Sequence, residues 1–355
     1  MNKKRIDQLV AGFSEGDAIS RDAMRIKSML EKMGYESRIF VPAGRIGQTV
    51  VSQCRPLEDY DGQSTDILIY HYSTASFATQ LYIKSSAFKI VRYHNITPPE
   101  FFVGYDESLA SELVKAREEL KLVLDNADRV CAVSSFNAAE LRKIKNTEIK
   151  VIPLFFTPAE MQSDVDPSIA KLYGGGFVNI LFVGRIVPNK CIEELILAFA
   201  WYHKCLNSVS RLILAGSERS CPRYYAMLSM LAARLELQNV CFQGFVNDRQ
   251  LYSLYRLSHL FVCASRHEGY CLPLLEAMTC GIPVVTREVG GMPEAMGGAG
   301  VMYDELNPRQ SACLWHKIIV DENLRSQIIE SQKIRIESLK GRNQENDCRY
   351  FTERS

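Results

Sequence analysis

Short apolar runs alternate with helical patterns along the first part of the chain. Apolar runs short enough to be buried strands lie at 5–12, 37–41, 66–72, 89–94 and 128–134. Helical spacing of apolar residues predicts helices from about Ser20, from about 108 to 126 and from 136 to 145. Near-continuous apolar strands separated by helices are typical of a parallel sheet covered on both faces. Residues 1–156 are therefore predicted to form one Rossmann-like domain.

The same alternation restarts after a polar stretch at 157–176. This stretch contains Pro158, Pro167 and a glycine triplet at 174–176. We interpret it as a linker rather than a phosphate loop, because no predicted strand precedes the triplet and no predicted helix follows it. Strands are then predicted at 178–183, 212–215, 240–242, 260–264, 284–286 and 301–303. Helices between them, the clearest at 193–206 and 224–237, complete a second doubly wound domain at 177–320.

The end of the chain carries one more helical pattern, at about 321–340, and a polar tail. We expect the stretch 321–355 to pack back onto the first domain. The fold class predicted for the whole chain is α/β, with two Rossmann-like doubly wound parallel-sheet domains facing across a cleft. Ligands of such sheets bind at the carboxyl ends of the strands, so residues directly after strands are the candidates for chemistry.

Composition narrows the function without choosing it. The 355 residues are 47% hydrophobic and 23% charged, with a formal net charge of +1. These values are those of a globular protein and give no basic surface for nucleic acid. The eleven cysteines form no C-x-x-C pair, which predicts reduced buried thiols rather than disulfides or a metal framework. No signal peptide and no run of 18 apolar residues is present, so we expect a cytoplasmic protein, with peripheral membrane contact left open.

Two cations follow the first strand of the second domain. Gly184 and Arg185 come directly after the predicted strand, and Lys190 lies five residues beyond Arg185. An arginine can bind a phosphate in bidentate fashion and a lysine adds a point charge, so this corner suits a diphosphate. The alternative is an ordinary solvated loop.

Two carboxylates, Glu268 and Glu276, flank the start of a short predicted helix. Pro273 lies at its beginning and Gly281 just past its end, which is the expected asymmetry of helix termini. The N-terminus of a helix attracts anions, whereas carboxylates more plausibly accept hydrogen bonds from hydroxyls. Anion and hydroxyls together point to a phosphorylated sugar. The alternative for Glu276 is a glutamate favoured by the helix dipole alone.

Two histidines, His71 and His94, end strands of the first domain. Either could donate to a sugar hydroxyl or move a proton, and either could be a satisfied core histidine. His267 has no partner at metal-ligand spacing, and the other histidines are interpreted as structural, so no metal site is predicted.

These motifs resemble those of the family 4 retaining glycosyltransferases, which have the GT-B fold. The stretch from Glu268 to Met278 is similar to that family's paired-glutamate signature. Gly184-Arg185 with Lys190 is similar to its phosphate-binding pair. The runs 93–102 and 134–137 resemble the bacterial members that build surface polysaccharides, such as O-antigen, capsule or exopolysaccharide.

The resemblance implies a role for each matching position. Arg185 and Lys190 would bind the donor diphosphate, Glu268 would contact the transferred sugar, and Glu276 would hold the ribose. Residues that would contribute mainly through backbone or loop contacts to the donor are Gly16, Val246, Gly269, Tyr270, Cys271 and Leu272. His94 would approach the donor sugar, so the catalytic set implied is Glu268, His94, Arg185 and Lys190. Asp17 would border the acceptor beside Gly16.

The reaction implied is transfer of a sugar from a nucleoside diphosphate (GDP, UDP or dTDP) to a hydroxyl of a saccharide or lipid-linked saccharide. The anomeric configuration would be kept, and no metal or other cofactor would be needed if Arg185 and Lys190 neutralise the leaving group. The sequence departs from the family at Cys191 and Cys271, where glycine is common, and at the single Gly16, where many members have two glycines. The alternatives left open are a sugar-nucleotide epimerase and a non-catalytic nucleotide-sugar-binding protein on the same fold.

Overall fold

A computed structural model describes residues 4–161 and 164–354, and it divides into two compact units. The first unit comprises the chain up to residue 100, residues 108–155 and the residues from 343 onward. The second comprises Phe101–Glu107 and Phe156–Arg342. Each unit is built around one parallel sheet with helices, which confirms the predicted fold class of two Rossmann-like domains.

The sheet of the first unit has seven parallel strands in the order β3-β2-β1-β4-β5-β6-β7. They are β1 (Ile6–Val10), β2 (Ile39–Val41), β3 (Arg55–Pro56), β4 (Ile67–Tyr72), β5 (Phe88–Tyr93), β6 (Arg129–Ala132) and β7 (Lys150–Val151). The helices along this part of the chain are α1 (Ala18–Lys32), α2 (Ala78–Lys84), α3 (Glu107–Asp125) and α4 (Ser135–Arg142). The central strands β1 and β4 are buried along their whole length, including the polar residues Asp7 and Gln8 of β1.

The sheet of the second unit has six parallel strands in the order β10-β9-β8-β11-β12-β13. They are β8 (Val178–Val183), β9 (Ser210–Ala215), β10 (Val240–Gly244), β11 (Leu260–Cys263), β12 (Val284–Arg287) and β13 (Val301–Tyr303). Its helices are α5 (Pro167–Tyr173), α6 (Ile192–Trp201), α7 (Pro222–Arg234), α8 (Asp248–Arg256), α9 (Leu272–Thr279), α10 (Met292–Met296), α11 (Pro308–Val320) and α12 (Glu322–Lys340). A π-helical turn, Tyr202–Leu206, extends α6.

Side-chain caps explain where several helices begin. Asp17 accepts hydrogen bonds from the backbone N–H and the hydroxyl of Ser20, at 2.8 and 2.9 Å, so α1 begins at Ala18. The sequence predicts this helix from about Ser20, and the structure begins it two residues earlier because Asp17 already satisfies the free N–H groups at that end. Asn247 and Gln250 form a reciprocal capping box at the start of α8.

The predicted linker at 157–176 is not a structureless connection. It contains α5, which Asp166 caps and Pro167 begins, and the backbone N–H of Asp166 donates to the Ser253 hydroxyl at 2.8 Å. Residues 162 and 163 of the predicted linker lie outside the described residues. The segment around α5 therefore belongs to the second unit.

The end of the chain also differs from the prediction. Helix α12 stays in the second unit, where the Gln332 side chain accepts from the Val284 N–H at 2.9 Å and donates to the Ile282 carbonyl at 2.7 Å. Only the following helix, α13 (Gln344–Arg349), and the residues after it join the first unit. Cys348 and Phe351 are fully buried in the core of that unit.

Both sheets change direction at a central pair of strands. In the first sheet, β2 and β3 lie on one side of β1, while β4 and the later strands lie on the other. In the second sheet, β9 and β10 lie on one side of β8, and β11 to β13 on the other. The loops after β8 and β11 therefore diverge at a topological switch point, which is where doubly wound sheets bind ligands. None of the helices in the described part of the chain is both long and apolar enough to cross a membrane.

Candidate functional site

Three neighbouring strands of the second sheet end in glycines with positive φ. These are Gly184 after β8, Gly216 after β9 and Gly244 at the end of β10, with φ of 154°, 155° and 71°. A Cβ on Gly216 would lie 1.8 Å from the Gly184 carbonyl oxygen, so only glycine fits there. The backbones that follow β8 and β9 therefore pack directly against each other.

Lys190 and Glu268 are brought together at the switch point. Lys190 ends a 3₁₀ turn (Pro188–Lys190) before α6, and Glu268 lies in the loop after β11. The Lys190 Nζ and the Glu268 Oε1 form a short ion pair and hydrogen bond, with side chains only 15% and 11% exposed. Burial acts to lower the pKa of Lys190, but the Glu268 carboxylate outweighs it and raises that pKa. Lys190 therefore keeps its positive charge at neutral pH.

The Glu268 carboxylate is held by further contacts around its loop. The Ser265 hydroxyl donates to Glu268 Oε1 at 2.8 Å, so one carboxylate oxygen serves two donors. The Glu268 carbonyl accepts from the Gly291 N–H at 2.9 Å. A Cβ on Gly290 would lie 2.2 Å from that same carbonyl oxygen. The loop after β12 thus fixes the Glu268 backbone, while Ser265 and Lys190 fix its side chain.

Two cysteine thiols lie beside this pair. Cys263 ends β11 and is buried; Cys271 precedes α9 and is partly buried. A hydrogen bond from Cys271 lowers the pKa of the Cys263 thiol to about 7, against burial and the Glu268 charge, which raise it. Cys263 Sγ also lies 3.2 Å from the Ser265 hydroxyl oxygen. The thiols, the hydroxyl and the carboxylate form one contiguous polar cluster.

Cys191 and Cys271 both adopt left-handed backbone conformations, with φ of 49° and 74°. These are the two positions where the family that the sequence resembles commonly has glycine. The geometry explains that preference, because a left-handed backbone is strained for residues with a Cβ. Cysteine here keeps the turn and adds a side chain at its centre.

The N-terminus of α9 is open. The residue before it, Cys271, makes no side-chain capping hydrogen bond in the described structure, and Pro273 lies within the first turn. The first N–H groups of a helix have no intrahelical partner and attract anions. With Lys190 beside Glu268 on the neighbouring strand end, this corner combines a helix N-terminus, a cation and a carboxylate.

Glu276 lies one turn further along α9 and is only 2% exposed. Its Oε2 accepts a 2.8 Å hydrogen bond from the hydroxyl of Tyr255, a residue of α8. The predicted role of holding a ribose remains a prediction. The structure adds that Tyr255 orients the carboxylate.

The other predicted donor contacts differ in exposure. Arg185 is exposed, and its guanidinium makes no hydrogen bond or ion pair within the described residues, so it is available to an anion. Val246 is half-buried and lies between β10 and α8. Tyr270 is 3% exposed, with its hydroxyl pKa raised by burial, so only its backbone could meet a ligand. Gly269 and Leu272 are partly and fully buried neighbours of the α9 N-terminus.

The two residues predicted from the first unit have distinct surroundings. Gly16 is exposed, with φ of 76°. Asp17, which the resemblance placed beside an acceptor, uses its carboxylate to cap α1. His94 is 9% exposed and lies in a buried network.

Hydrogen bonds fix the tautomers of this histidine network. The Gln8 amide donates to the Ala23 carbonyl at 3.1 Å, which leaves Gln8 Oε1 to accept from His71 Nε2 at 2.9 Å. His71 Nδ1 then accepts from His94 Nε2, also at 2.9 Å, when both rings are neutral. Burial lowers the pKa of His71 to about 3 and that of His94 well below its ordinary value. His94 is therefore a neutral group with a defined orientation at neutral pH.

A buried ion pair lies next to these rings. Arg92 Nε and the second guanidinium nitrogen donate to the Asp22 carboxylate at 2.6 and 3.1 Å. Asp22 Oδ2 lies 4.0 and 3.9 Å from the nearest nitrogens of His71 and His94. Burial opposes ionisation of Asp22, but Arg92 outweighs it and lowers the pKa of the carboxyl to about 2.

Sequence reasoning missed several of these supporting residues. Ser265 follows a predicted strand directly, so the rule on strand ends could have identified it. Arg92 carries a charge inside an apolar strand, which also signals a special environment. Asp22 gives no local signal, because a carboxylate in a helix is ordinary and its partner is 70 residues away.

Comparison with known proteins finds that the chain is similar to sugar-transferring enzymes. Residues 174–335 match the family described as glycosyl transferases group 1. The chain is 29% identical over 209 residues to the serotype-specific mannosyltransferase WbdA of Escherichia coli, a match that covers 56% of this chain and 25% of that relative. The chain thus spans only about a quarter of that relative's length.

Solved structures share the fold over nearly the whole chain. Sucrose-phosphate synthase from Thermosynechococcus elongatus has a TM-score of 0.73 at 18% identity, with 95% of each chain covered. HepE from Anabaena, solved in complex with UDP-glucose, has a TM-score of 0.70 at 21% identity, with 93% of this chain and 94% of that chain covered.

Proposed function

We propose that the chain is a group 1 glycosyl transferase, the family that its residues 174–335 match, and that it transfers a sugar from a nucleoside-diphosphate donor to an acceptor hydroxyl. The observation that carries the proposal is the switch-point corner of the second unit. There Lys190 pairs with Glu268 beside the uncapped N-terminus of α9, and Arg185 is exposed without a partner in the described chain.

Each part of this corner has a defined chemical task. Arg185, Lys190 and the first N–H groups of α9 bind the diphosphate and stabilise the charge that develops as it leaves. One such donor is worth about 3 kcal/mol of transition-state stabilisation. Because Lys190 is already charged and held by Glu268, it needs little reorganisation when the donor arrives.

Glu268 has a second task besides orienting Lys190. Its Oε1 serves Lys190 and Ser265, so we assign the remaining carboxylate oxygen to a hydroxyl of the transferred sugar. Glu276, oriented by Tyr255, is assigned to the ribose hydroxyls. His94 of the first unit is neutral at physiological pH, so it offers a ligand a hydrogen bond rather than a positive charge.

The names of similar proteins support a proposal for the substrate class. WbdA is a serotype-specific mannosyltransferase, and HepE was solved with UDP-glucose. We therefore propose that the donor carries a hexose, with mannose as the first candidate. The proposed acceptor is a growing saccharide or lipid-linked saccharide of a bacterial surface polysaccharide. The anomeric configuration is retained, and the cations of the site replace a metal ion in neutralising the leaving group.

The test begins with a thermal-shift screen of the purified protein against GDP, UDP and dTDP and their sugars. A ligand that binds the folded state raises its stability by mass action. The donor selected in this way is then incubated with saccharide acceptors, with and without EDTA, and the product anomer is read by NMR. Retained configuration and activity unaffected by EDTA are the expected results.

Two variants test the site itself. Lys190→Ala and Glu268→Ala are each expected to abolish transfer while circular dichroism and the melting temperature show an intact fold. Lys333→Ala is the matched control, because Lys333 is an exposed lysine of α12 whose ion pair is with exposed Glu330. Transfer that survives both site variants would overturn the assignment, and a selected donor that is bound but never turned over would favour a binding protein.

A further inference from the structure

Three metal-ligating side chains of the second unit converge beside the Lys190–Glu268 pair. One ligand atom each of Cys263, Glu268 and Cys271 lies within 4.8 Å of the other two. Zinc in proteins is bound by cysteine sulfur at about 2.3 Å and carboxylate oxygen at about 2.0–2.2 Å, with tetrahedral geometry. Ligands around one such ion lie roughly 3–4 Å apart, so small side-chain adjustments suffice here.

We propose that Cys263, Cys271 and Glu268 form a binding site for one thiophilic divalent cation, with Zn²⁺ as the reference ion. The fourth position of the tetrahedron is open to water. Two thiolates select zinc or cadmium over magnesium or calcium, which prefer oxygen ligands. We do not propose this site as a catalytic metal centre. An ion bound there occupies the Glu268 carboxylate, which the proposed transfer reaction needs.

The backbone holds the three ligands on fixed elements. Cys263 is the last residue of β11, and Cys271 is the residue immediately before α9. The loop between them is tied at Glu268 by the Gly291 N–H and at His267 by the Asn189 amide, which donates to its carbonyl at 3.1 Å. The left-handed backbone at Cys271 places a thiol where a glycine would present none. The donor set is therefore largely preformed.

Ser265 supports the site from its edge. Its hydroxyl donates to Glu268 Oε1 and lies 3.2 Å from Cys263 Sγ, so it contacts two of the three ligands. Groups in this position orient ligands and raise metal affinity. Ser265 is thus an uncharged hydrogen-bonding side chain that joins a thiol to the carboxylate.

Charge balance determines the consequence of binding. The cation replaces the two thiol protons, so two Cys–SH groups and M²⁺ give a dithiolate complex and two released protons. The bound cation then repels the Lys190 ammonium and binds the Glu268 carboxylate, which otherwise pairs with Lys190. Metal binding and the Lys190–Glu268 ion pair thus compete. The loss of transfer that this competition implies rests on the proposed function, whereas metal binding itself does not.

The test titrates Cd²⁺ into the reduced full-length protein and follows the thiolate-to-cadmium charge-transfer absorbance, with Zn²⁺ as competitor. Exposed Cys205 and Cys313 are first changed to serine, because exposed thiols also bind cadmium. We expect one Cd²⁺ per chain, displaced by Zn²⁺. Cys263→Ala and Cys271→Gly should each halve the absorbance and weaken binding by more than the roughly 10–100-fold that loss of an outer partner costs.

Cys191→Gly is the matched control, because Cys191 is also a buried cysteine with a left-handed backbone. It should leave the absorbance and the affinity unchanged. Circular dichroism and melting temperature confirm that each variant is folded. A wild-type protein that binds cadmium no more tightly than Cys271→Gly, or a Cys191→Gly variant that loses binding equally, would overturn the proposal. Because no donor is present, either result leaves the transfer reaction to its own assay.

Discussion

Replacing Asp22 by asparagine should strongly destabilise the first unit. Asp22 is fully buried and accepts from Arg92 twice and from the Phe155 N–H at 3.1 Å. Asp22→Asn keeps the size of the side chain but leaves the Arg92 guanidinium as an uncompensated buried charge. Breaking a buried ion pair in this way costs about 3–5 kcal/mol in the free energy of unfolding.

The pKa of Asp22 supports this magnitude independently. Arg92 lowers it from the ordinary 3.8 to about 2, although burial acts in the opposite direction. At about 1.4 kcal/mol per tenfold change in proton affinity, the ionised form is favoured in the folded state by about 2.5 kcal/mol. Because the folded-state pKa is lowered, this contribution is present above pH 4 and is lost as the pH falls toward 2. Asparagine adds the cost of the unpaired guanidinium to this loss.

The assay must distinguish the two units. Trp201 and Trp315 are the only tryptophans and both lie in the second unit, so their fluorescence in urea reports that unit. Hydrogen exchange measured by mass spectrometry on peptides of β4 and β5 reports the first. Asp22→Asn should raise exchange in those peptides, with the free energy of opening reduced by the stated amount.

Two further variants make the interpretation specific. Asp125→Asn removes an exposed aspartate paired with Lys121 at 2.6 Å, and hydrogen exchange in the β4 and β5 peptides should stay at its wild-type level. Combining Asp22→Asn with Arg92→Met should recover part of the lost stability, because no charge is then left unpaired. Arg92 also donates to the Ile152 and Pro153 carbonyls at 3.0 and 3.3 Å. A cost below about 1 kcal/mol for Asp22→Asn would refute the reasoning and would mean that these carbonyls alone compensate the charge of Arg92.

Three other predictions concern acid stability, backbone strain and the proposed ribose contact. Burial lowers the pKa of His71 to about 3, so as the pH falls the unfolded chain binds a proton at this side chain before the folded protein does. The stability that His71 contributes above pH 6.5 is therefore lost toward pH 3. His71→Gln should flatten the pH dependence of hydrogen exchange in the first unit, and an unchanged slope would contradict this. Cys271→Gly should destabilise the second unit less than Cys280→Gly does, because relief of the left-handed backbone at Cys271 offsets the greater freedom of glycine in the unfolded chain. Cys280, with φ of −79°, has no such strain to relieve, so Cys280→Gly should cost about 0.5–1 kcal/mol, and equal tryptophan unfolding curves for the two variants would oppose this view. Tyr255→Phe removes the hydroxyl that donates to buried Glu276, so it should destabilise the second unit by about 1–3 kcal/mol. It should also weaken nucleotide binding in the thermal-shift assay. Wild-type stability together with wild-type nucleotide binding would exclude the orienting role of Tyr255.

Local patterns predicted the second sheet well. Strand β8 and its glycine, and β11 with the loop to α9, were recognisable because buried parallel strands are continuous apolar runs and because proline and glycine mark helix ends. The rule that ligands bind at strand ends then placed Arg185, Lys190 and Glu268 on neighbouring loops. Lys190 and Glu268 are 78 residues apart in sequence, and their contact depends on the order of the strands in the sheet. The sequence pattern therefore could not predict that contact.

Other elements escaped the sequence for identifiable reasons. Helix α5 carried a readable signal, an aspartate followed by proline, which nearby glycines obscured. Helix α2 spans only seven residues and has no side-chain cap, so periodicity had little to act on. The return of the chain end to the first unit depends on the tertiary packing of Cys348 and Phe351. The tail is mostly polar, so its sequence pattern does not indicate that these two residues are buried.

That return has a consequence for the order in which the protein folds. Tyr350 donates its hydroxyl to the Val130 carbonyl at 2.9 Å, and its own carbonyl accepts from Arg129 at 3.1 Å, across more than 200 residues of sequence. A ribosome reaches these residues only after the whole second unit has been made. During synthesis the first unit therefore lacks the part of its core that Cys348 and Phe351 supply until the end of the chain is made. The second unit by then has all its strands and can fold. Chaperone binding to a nascent chain should accordingly concentrate on the earlier-made half of the molecule.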